Sequence, residues 1–297
     1  MEGVEEVVIV GRGICGMATA VALKRYGIEA VVLERAESLR ATGAALTLAS
    51  NAWIALDALG VSQKLHPLYS PLTKYVITNL SNGTVQQISL PQNESSHLKT
   101  RSKVRDSPED WIHFLGPVGP KTVHRKALLE VLAEELPKKN IHFSCKITSI
   151  STEVIEGSSI AVLQTEDGTV IKTKVLIGCD GVNSRVARWL GLGEPVNSGR
   201  FGLRGLSVFP QGHGLDHHAT RVVHTSFNGG FVPISYSEVY IGFWSLEQIQ
   251  VNDNRTHILC PGAINHTKFV IFLHYSTRLI LILCICTIHN DLLKSKR

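Results

Sequence analysis

Three glycines, two acids and one arginine stand out by their placement. Gly11, Gly13 and Gly16 spell GxGxxG directly after the β-branched run Val7-Val8-Ile9-Val10 and directly before a segment with apolar residues at helical intervals. In that setting Gly11 turns the chain out of a strand, Gly13 lets backbone approach a pyrophosphate with no Cβ between them, and Gly16 lets the helix pack closely on the sheet. The amides from Ile14 onward then face the anion with the positive end of the helix dipole. Glu34 closes the next apolar run, Ala30-Val31-Val32-Leu33, where a carboxylate hydrogen-bonds ribose hydroxyls and disfavours a 2′-phosphate. A glycine turn alone accounts for the glycines but not for the strand, helix and acid around them, so the pattern predicts an adenine dinucleotide. Arg12 either adds charge beside the phosphates or crowds the turn. Cys15 reads as a small packing residue in preference to a reactive thiol.

The second acid is Asp180. It follows the strand-like segment Val170 to Ile177 and precedes a helix expected to begin near Asn183, so Asp180 and Gly181 fall at the carboxyl edge of a strand, where open α/β sheets bind ligands. Arg125 falls in the first turn of a predicted helix running from His124 through Glu135, with Leu128, Leu132 and Leu136 on one face. The dipole favours an acid at that position, so an anionic partner explains the cation, as does a plain surface arginine.

The positioning elements follow from pattern. A helix from Ile14 to Tyr26 turns Met17, Ala20, Val21 and Leu23 toward the sheet and stops at Gly27. Leu39 to Leu48 is a small-residue segment whose Gly43 would let a flat ring approach backbone. Asn51 to Leu59 reads as a helix capped by Asn51 and closed by Gly60. Lys74 to Leu80 and Val85 to Leu90 alternate around Asn82-Gly83 as a hairpin. Residues 91 to 120 are polar, basic and without period, as in a surface insertion. Strands are predicted at His142 to Ile150, Ser159 to Thr165 and Val170 to Ile177, with Asp167-Gly168 as a turn.

Composition bounds the function. With 44% apolar residues, 19% charged residues and a net charge of +5, the chain suits small anionic ligands, and no basic stripe with interleaved aromatics supports nucleic acid. The six cysteines, Cys15, Cys145, Cys179, Cys260, Cys284 and Cys286, have neither zinc spacing nor the density of a disulfide scaffold. No metal site is therefore expected, and a reducing, cytoplasmic compartment is. The acidic start running straight into the first strand predicts no signal or transit peptide.

Together, GxGxxG at 11 to 16, Glu34-Arg35, Arg125 opening a helix, and Cys179-Asp180-Gly181-Val182-Asn183-Ser184 resemble the FAD-dependent aromatic hydroxylases of the para-hydroxybenzoate hydroxylase type. The phrases Arg40-Ala41-Thr42-Gly43-Ala44-Ala45-Leu46, Val123-His124-Arg125-Lys126-Ala127-Leu128-Leu129 and Ala187-Arg188-Trp189-Leu190-Gly191-Leu192 resemble its plant branch, the salicylate-hydroxylase-like monooxygenases. The resemblance runs from residue 5 to about 243. It implies an α/β fold: a GxGxxG, Rossmann-like FAD-binding domain at 1–75 and 121–198, interleaved with a smaller, incomplete β-rich substrate domain at 76–120 and 199–246. It implies that Gly11, Gly13, Ile14 and Gly16 hold the FAD pyrophosphate, Glu34 and Arg35 the adenosine side, Ile147 lies beside the adenine, and Arg125 meets the phosphate and ribityl portion. Asp180 and Gly181 would serve both FAD and a transient NADPH or NADH. The implied reaction is reduction of FAD, addition of O2 to give a flavin hydroperoxide, and oxygen transfer to an aromatic or conjugated small molecule. Because the cofactor carries that chemistry, no catalytic side chain is nominated. A flavin reductase or dehydrogenase without oxygen insertion, and a non-catalytic truncated FAD-binding protein, stay open as alternatives.

The resemblance ends after Trp244. The family's third motif, a Gly-Asp pair ahead of a glycine-rich helix start, has no counterpart in residues 245 to 297, so the chain resembles a C-terminally truncated member with a divergent hydrophobic tail at 247–297. Phe269 to Ile288 is long enough for a bilayer span, but Arg278 near its middle costs about 2.5–3.5 kcal/mol on insertion. The expectation is a tail that does not enter a membrane, with membrane contact as the lesser alternative.

Overall fold

Val7, Val8, Ile9 and Val10 are all buried, the run of consecutive apolar side chains that a strand covered on both faces requires. They end β1 (Val4–Val10), which pairs in parallel with β2 (Val31–Leu33) on one side and with β10 (Val170–Gly178) on the other. The computed structural model describes residues 3–38, 45–90, 119–196 and 201–245, and the backbone of 268–272.

Around β1 lies a six-stranded sheet of order β7-β2-β1-β10-β9-β8. β7 (Ile141–His142) extends its parallel part, while β9 (Ser158–Thr165) joins antiparallel to β10 and β8 (Ile147–Ile155) antiparallel to β9. The connection from β1 to β2 is α1 (Ile14–Arg25), which buries Gly16, Met17, Ala20 and Val21. A small ladder pairs β3 (Ala45–Leu48) with β6 (Lys121–His124). Among the described residues the unit also has the α-helices α2 (Ser50–Ala58), α3 (Ser62–Leu65), α4 (Arg125–Glu134), which packs on α1, and α5 (Arg185–Trp189).

The chain divides into two compact units, the first formed by the described parts of Met1–Lys74 and Ser89–Val196, the second by those of Tyr75–Ile88 and Asn197–Arg297. The second is a sheet of order β15-β11-β14-β13-β12-β4-β5. It is built from β4 (Lys74–Asn79), β5 (Val85–Ser89), β11 (Gly202–Val208), β12 (Ala219–Val223), β13 (Phe227–Pro233), β14 (Glu238–Ser245) and β15 (Lys268–Phe272). The fold is thus α/β, a Rossmann-like unit with a separate, smaller β-rich one.

Three local expectations need correction. Asn51 does not cap α2: Ala49 is the N-cap and Asn51 lies inside the helix. The segment from His142 to Ile150 is not one strand. Ser144, at φ 56°, breaks it after β7, and Ser144 and Cys145 donate their amides to the Ala36 and Glu34 carbonyls at 3.0 and 2.8 Å. β8 continues past Ile150 to a turn at Glu156-Gly157, both at positive φ. The small-residue stretch at 39–44, the polar insertion at 91–118 and the tail beyond 245 lie outside the described residues, except that 268–272, at the start of the hydrophobic run, form β15 against β11. Among the described residues, no helix is long and apolar enough to cross a membrane.

Candidate functional site

The turn after β1 is packed backbone against backbone. Gly11, at φ +103°, donates its amide to the Leu33 carbonyl at 2.8 Å, and a Cβ there would meet the Cys179 carbonyl oxygen at 2.3 Å. A Cβ on Gly16 would lie 1.9 Å from the Gly11 carbonyl oxygen. Two of the three glycines therefore let the turn, α1 and the end of β10 touch, and the Cys179 amide closes the contact by donating to the Val10 carbonyl at 2.7 Å. Gly13 is different. Its φ of −72° suits any residue, and a Cβ there would meet nothing within 4 Å. Neither strain nor packing among the described residues requires glycine at 13, and the backbone there is open to approach.

The start of α1 fits an anion. Gly13 is its N-cap, no side chain caps it, and its first turn holds no acid. The free amides of that turn and the helix dipole are thus left for an external acceptor. Glu34 stands beside the same turn, accepting the Arg12 amide at 3.0 Å and the Ala36 amide at 2.9 Å. Its carboxylate is fixed in orientation by those bonds and has lone pairs to spare for hydroxyl donors.

Arg12 neither crowds the turn nor reaches into solvent. Its side chain is 8% exposed and lies over the Phe143 ring at 4.8 Å. Burial pushes its pKa below the usual guanidinium value, and the charge of Glu34 opposes that shift. Its Nε and Nη1 are buried without a partner among the described residues. Such orphaned donors beside the Glu34 carboxylate fit an oxygen-rich ligand. Phe143 was not legible as part of the site, because nothing local marks it as the floor under Arg12.

At the end of β10, the Asp180 carboxylate accepts the Ser184 hydroxyl at 2.5 Å and the Arg185 amide at 2.6 Å, while the Ser184 Oγ accepts the Ala187 amide at 2.9 Å as N-cap of α5. Asp180 therefore holds the corner between strand and helix, and Gly181 at φ +82° makes the bend. Removing this acceptor leaves two donors unmet. Asp180→Ala is expected to cost about 1–2 kcal/mol of unfolding free energy, read by urea titration of the full chain.

The fold brings Gly11, Gly13, Ile14, Gly16, Glu34, Asp180 and Gly181 to one edge of the six-stranded sheet. Ile147 starts β8 with its side chain 5% exposed in the core among Val8, Val10, Leu33 and Leu163. Arg35 is exposed, and Arg125 is half-buried at the first position of α4, a helix that also has no side-chain cap and no acid in its first turn. No group of three or more metal-ligating side chains occurs among the described residues.

Residues 5–255 match the model of the FAD binding domain family. Monooxygenase 2 of Arabidopsis thaliana is 39% identical over 271 residues, which cover 90% of this chain and 60% of that protein. Monooxygenase 1 of the same plant is 34% identical over 248 residues, covering 84% and 55%. The chain thus spans less than two thirds of the length of these curated relatives. Among solved structures, Klebsiella pneumoniae HpxO complexed with FAD and uric acid superposes with a TM-score of 0.65 at 21% identity, over 85% of this chain and 59% of that one. The 2,6-dihydroxypyridine-3-hydroxylase of Arthrobacter nicotinovorans does so with a TM-score of 0.61 at 17% identity, over 82% and 56%. These likenesses carry the fold. With the uncapped glycine turn, the fixed carboxylate at 34 and a family match over most of its length, the chain belongs to the FAD binding domain family.

Proposed function

We propose that this chain, with FAD bound, is an NADPH- or NADH-dependent monooxygenase that places one atom of O2 on an aromatic or conjugated small molecule, in the plant salicylate-hydroxylase-like branch. The observation that carries the reading is Gly13: open space above it, no conformational need for glycine, and an uncapped helix behind it. Identity to the two plant monooxygenases favours the branch. The cofactor-binding part is 1–75 with 121–198, and 76–120 with 199–246 face the substrate.

In this reading the amides of Gly13 and Ile14 bind the pyrophosphate, and Gly11 and Gly16 keep them in place by close packing. Glu34 accepts ribose hydroxyls, and Arg12 offers its orphaned donors nearby. Asp180 is a positioning residue, since its two bonds hold the Cys179–Gly181 corner on which Gly11 rests. Arg35, Ile147 and Arg125 act on the adenosine side, the adenine and the phosphate-ribityl portion, respectively. The chemistry supplied by FAD when bound is acceptance of hydride from the nicotinamide and activation of O2.

The test is turnover of the purified full chain, supplied with FAD, NADPH or NADH, isotope-labelled O2 and a panel of hydroxybenzoates that includes salicylate. The expected result is labelled oxygen in product, one equivalent per nicotinamide oxidised. Nicotinamide oxidation that yields only hydrogen peroxide or reduced substrate would favour a reductase. A colourless chain indifferent to FAD would leave a non-catalytic protein.

A further inference from the structure

Cys15, in the first turn of α1, and Cys179, just past β10, bring their Sγ atoms to 3.5 Å. Both are free thiols, Cys15 exposed and Cys179 half-buried. They flank the contact on which the turn depends, since the Cys179 carbonyl supports Gly11 and the Cys179 Cβ lies 3.3 Å from where a Cβ on Gly16 would stand. A disulfide requires about 2.05 Å between sulfurs, so the two must approach by about 1.5 Å. The Gly16 backbone is already tight against Gly11, so any backbone shift made in that approach falls on the start of α1.

We propose that Cys15 and Cys179 are a peroxide-sensitive thiol pair whose reversible disulfide weakens FAD binding at the turn it crosses. The exposed Cys15 sulfur attacks hydrogen peroxide or an organic hydroperoxide, forming a sulfenic acid and releasing water or an alcohol. The Cys179 sulfur then attacks the Cys15 sulfur, an S–S bond forms, and the departing hydroxide takes the Cys179 proton to leave as water. The two thiols lose two electrons and the peroxide gains them. Burial, and then the hydrogen bond with Cys15, push the Cys179 thiol up to about 11, so Cys179 is not the sulfur that meets peroxide first, and its attack on Cys15 depends on their closeness. A dithiol such as dithiothreitol reverses the link. By linkage, whatever factor the disulfide takes from FAD affinity, bound FAD takes from the equilibrium of disulfide formation.

The effect on FAD rests on the cofactor reading above, but the link itself does not. The reduced, FAD-free full chain is treated with a small excess of hydrogen peroxide, its remaining thiols are blocked, and it is digested without reductant. The expected product is a Cys15 peptide joined to a Cys179 peptide, short of two hydrogens and released by dithiothreitol. FAD affinity of the oxidised chain is expected to be about tenfold lower, the loss of one charge-assisted hydrogen bond, and to recover on reduction. Peroxide is expected to leave FAD affinity of the C15S variant, measured against the same variant untreated, unchanged. Oxidation of Cys15 to sulfinic acid with no link, or a link that leaves FAD affinity unaltered, would overturn the proposal. If the reduced chain binds no FAD, the monooxygenase reading fails while the peptide map still decides the thiol pair.

Discussion

Gly11→Ala is expected to cost the nucleotide-binding unit about 2–6 kcal/mol and to abolish flavin uptake. Two effects add. At φ +103° an L side chain is strained by about 1–3 kcal/mol. The new Cβ would also stand 2.3 Å from the Cys179 carbonyl oxygen and 2.9 Å from the Asp180 Cα, and these are backbone atoms that no rotamer change can move aside. Overpacking of this kind costs about 1–3 kcal/mol. Gly168→Ala isolates the first effect, because Gly168 has φ +86° and nothing within 4 Å of an added Cβ. Urea unfolding followed by far-UV circular dichroism should place Gly11→Ala well below Gly168→Ala. Equal losses would mean that the turn does not depend on close approach to β10.

The nucleotide-binding edge was readable because its determinants are local. A β-branched run, a glycine turn and a helical period sit within one short stretch, and Val7 to Val10, Met17, Ala20 and Val21 are buried as that pattern requires. Asp180-Gly181 was readable as a corner for the same reason. The employment of the Asp180 carboxylate was less so, although Ser184 ahead of Arg185 is an N-cap signal of the ordinary kind. Where distant backbone decides, pattern fails. The break at Ser144 comes from amides donated to Ala36 and Glu34, which no window around His142 contains. The guanidinium of Arg12 over Phe143 and the pairing of β12 with β4 in parallel are likewise products of the folded chain. Cys15 was read as packing because its neighbour across the turn, Cys179, is remote in sequence. At Asn51 the residue's intrinsic preference for a cap lost to an earlier start at Ser50.

Gly13→Leu should separate ligand binding from folding. The residue has ordinary φ and open space for a side chain, so the apo chain is expected to keep its stability within about 1 kcal/mol, the gain in backbone entropy offsetting a poorer N-cap. A pyrophosphate held by amides at the start of α1 cannot keep its place beside a leucine. Loss of two charge-assisted hydrogen bonds corresponds to a fall in FAD affinity of about 100-fold or more. The decisive measurement is a titration of FAD into the full chain and into its Gly13→Leu variant, followed by quenching of flavin fluorescence, with urea unfolding of both apo proteins alongside. We predict saturable quenching by the parent chain and a loss of about 100-fold in the variant at unchanged stability. Equal flavin affinity in two equally stable proteins would contradict the placement of the cofactor on this turn.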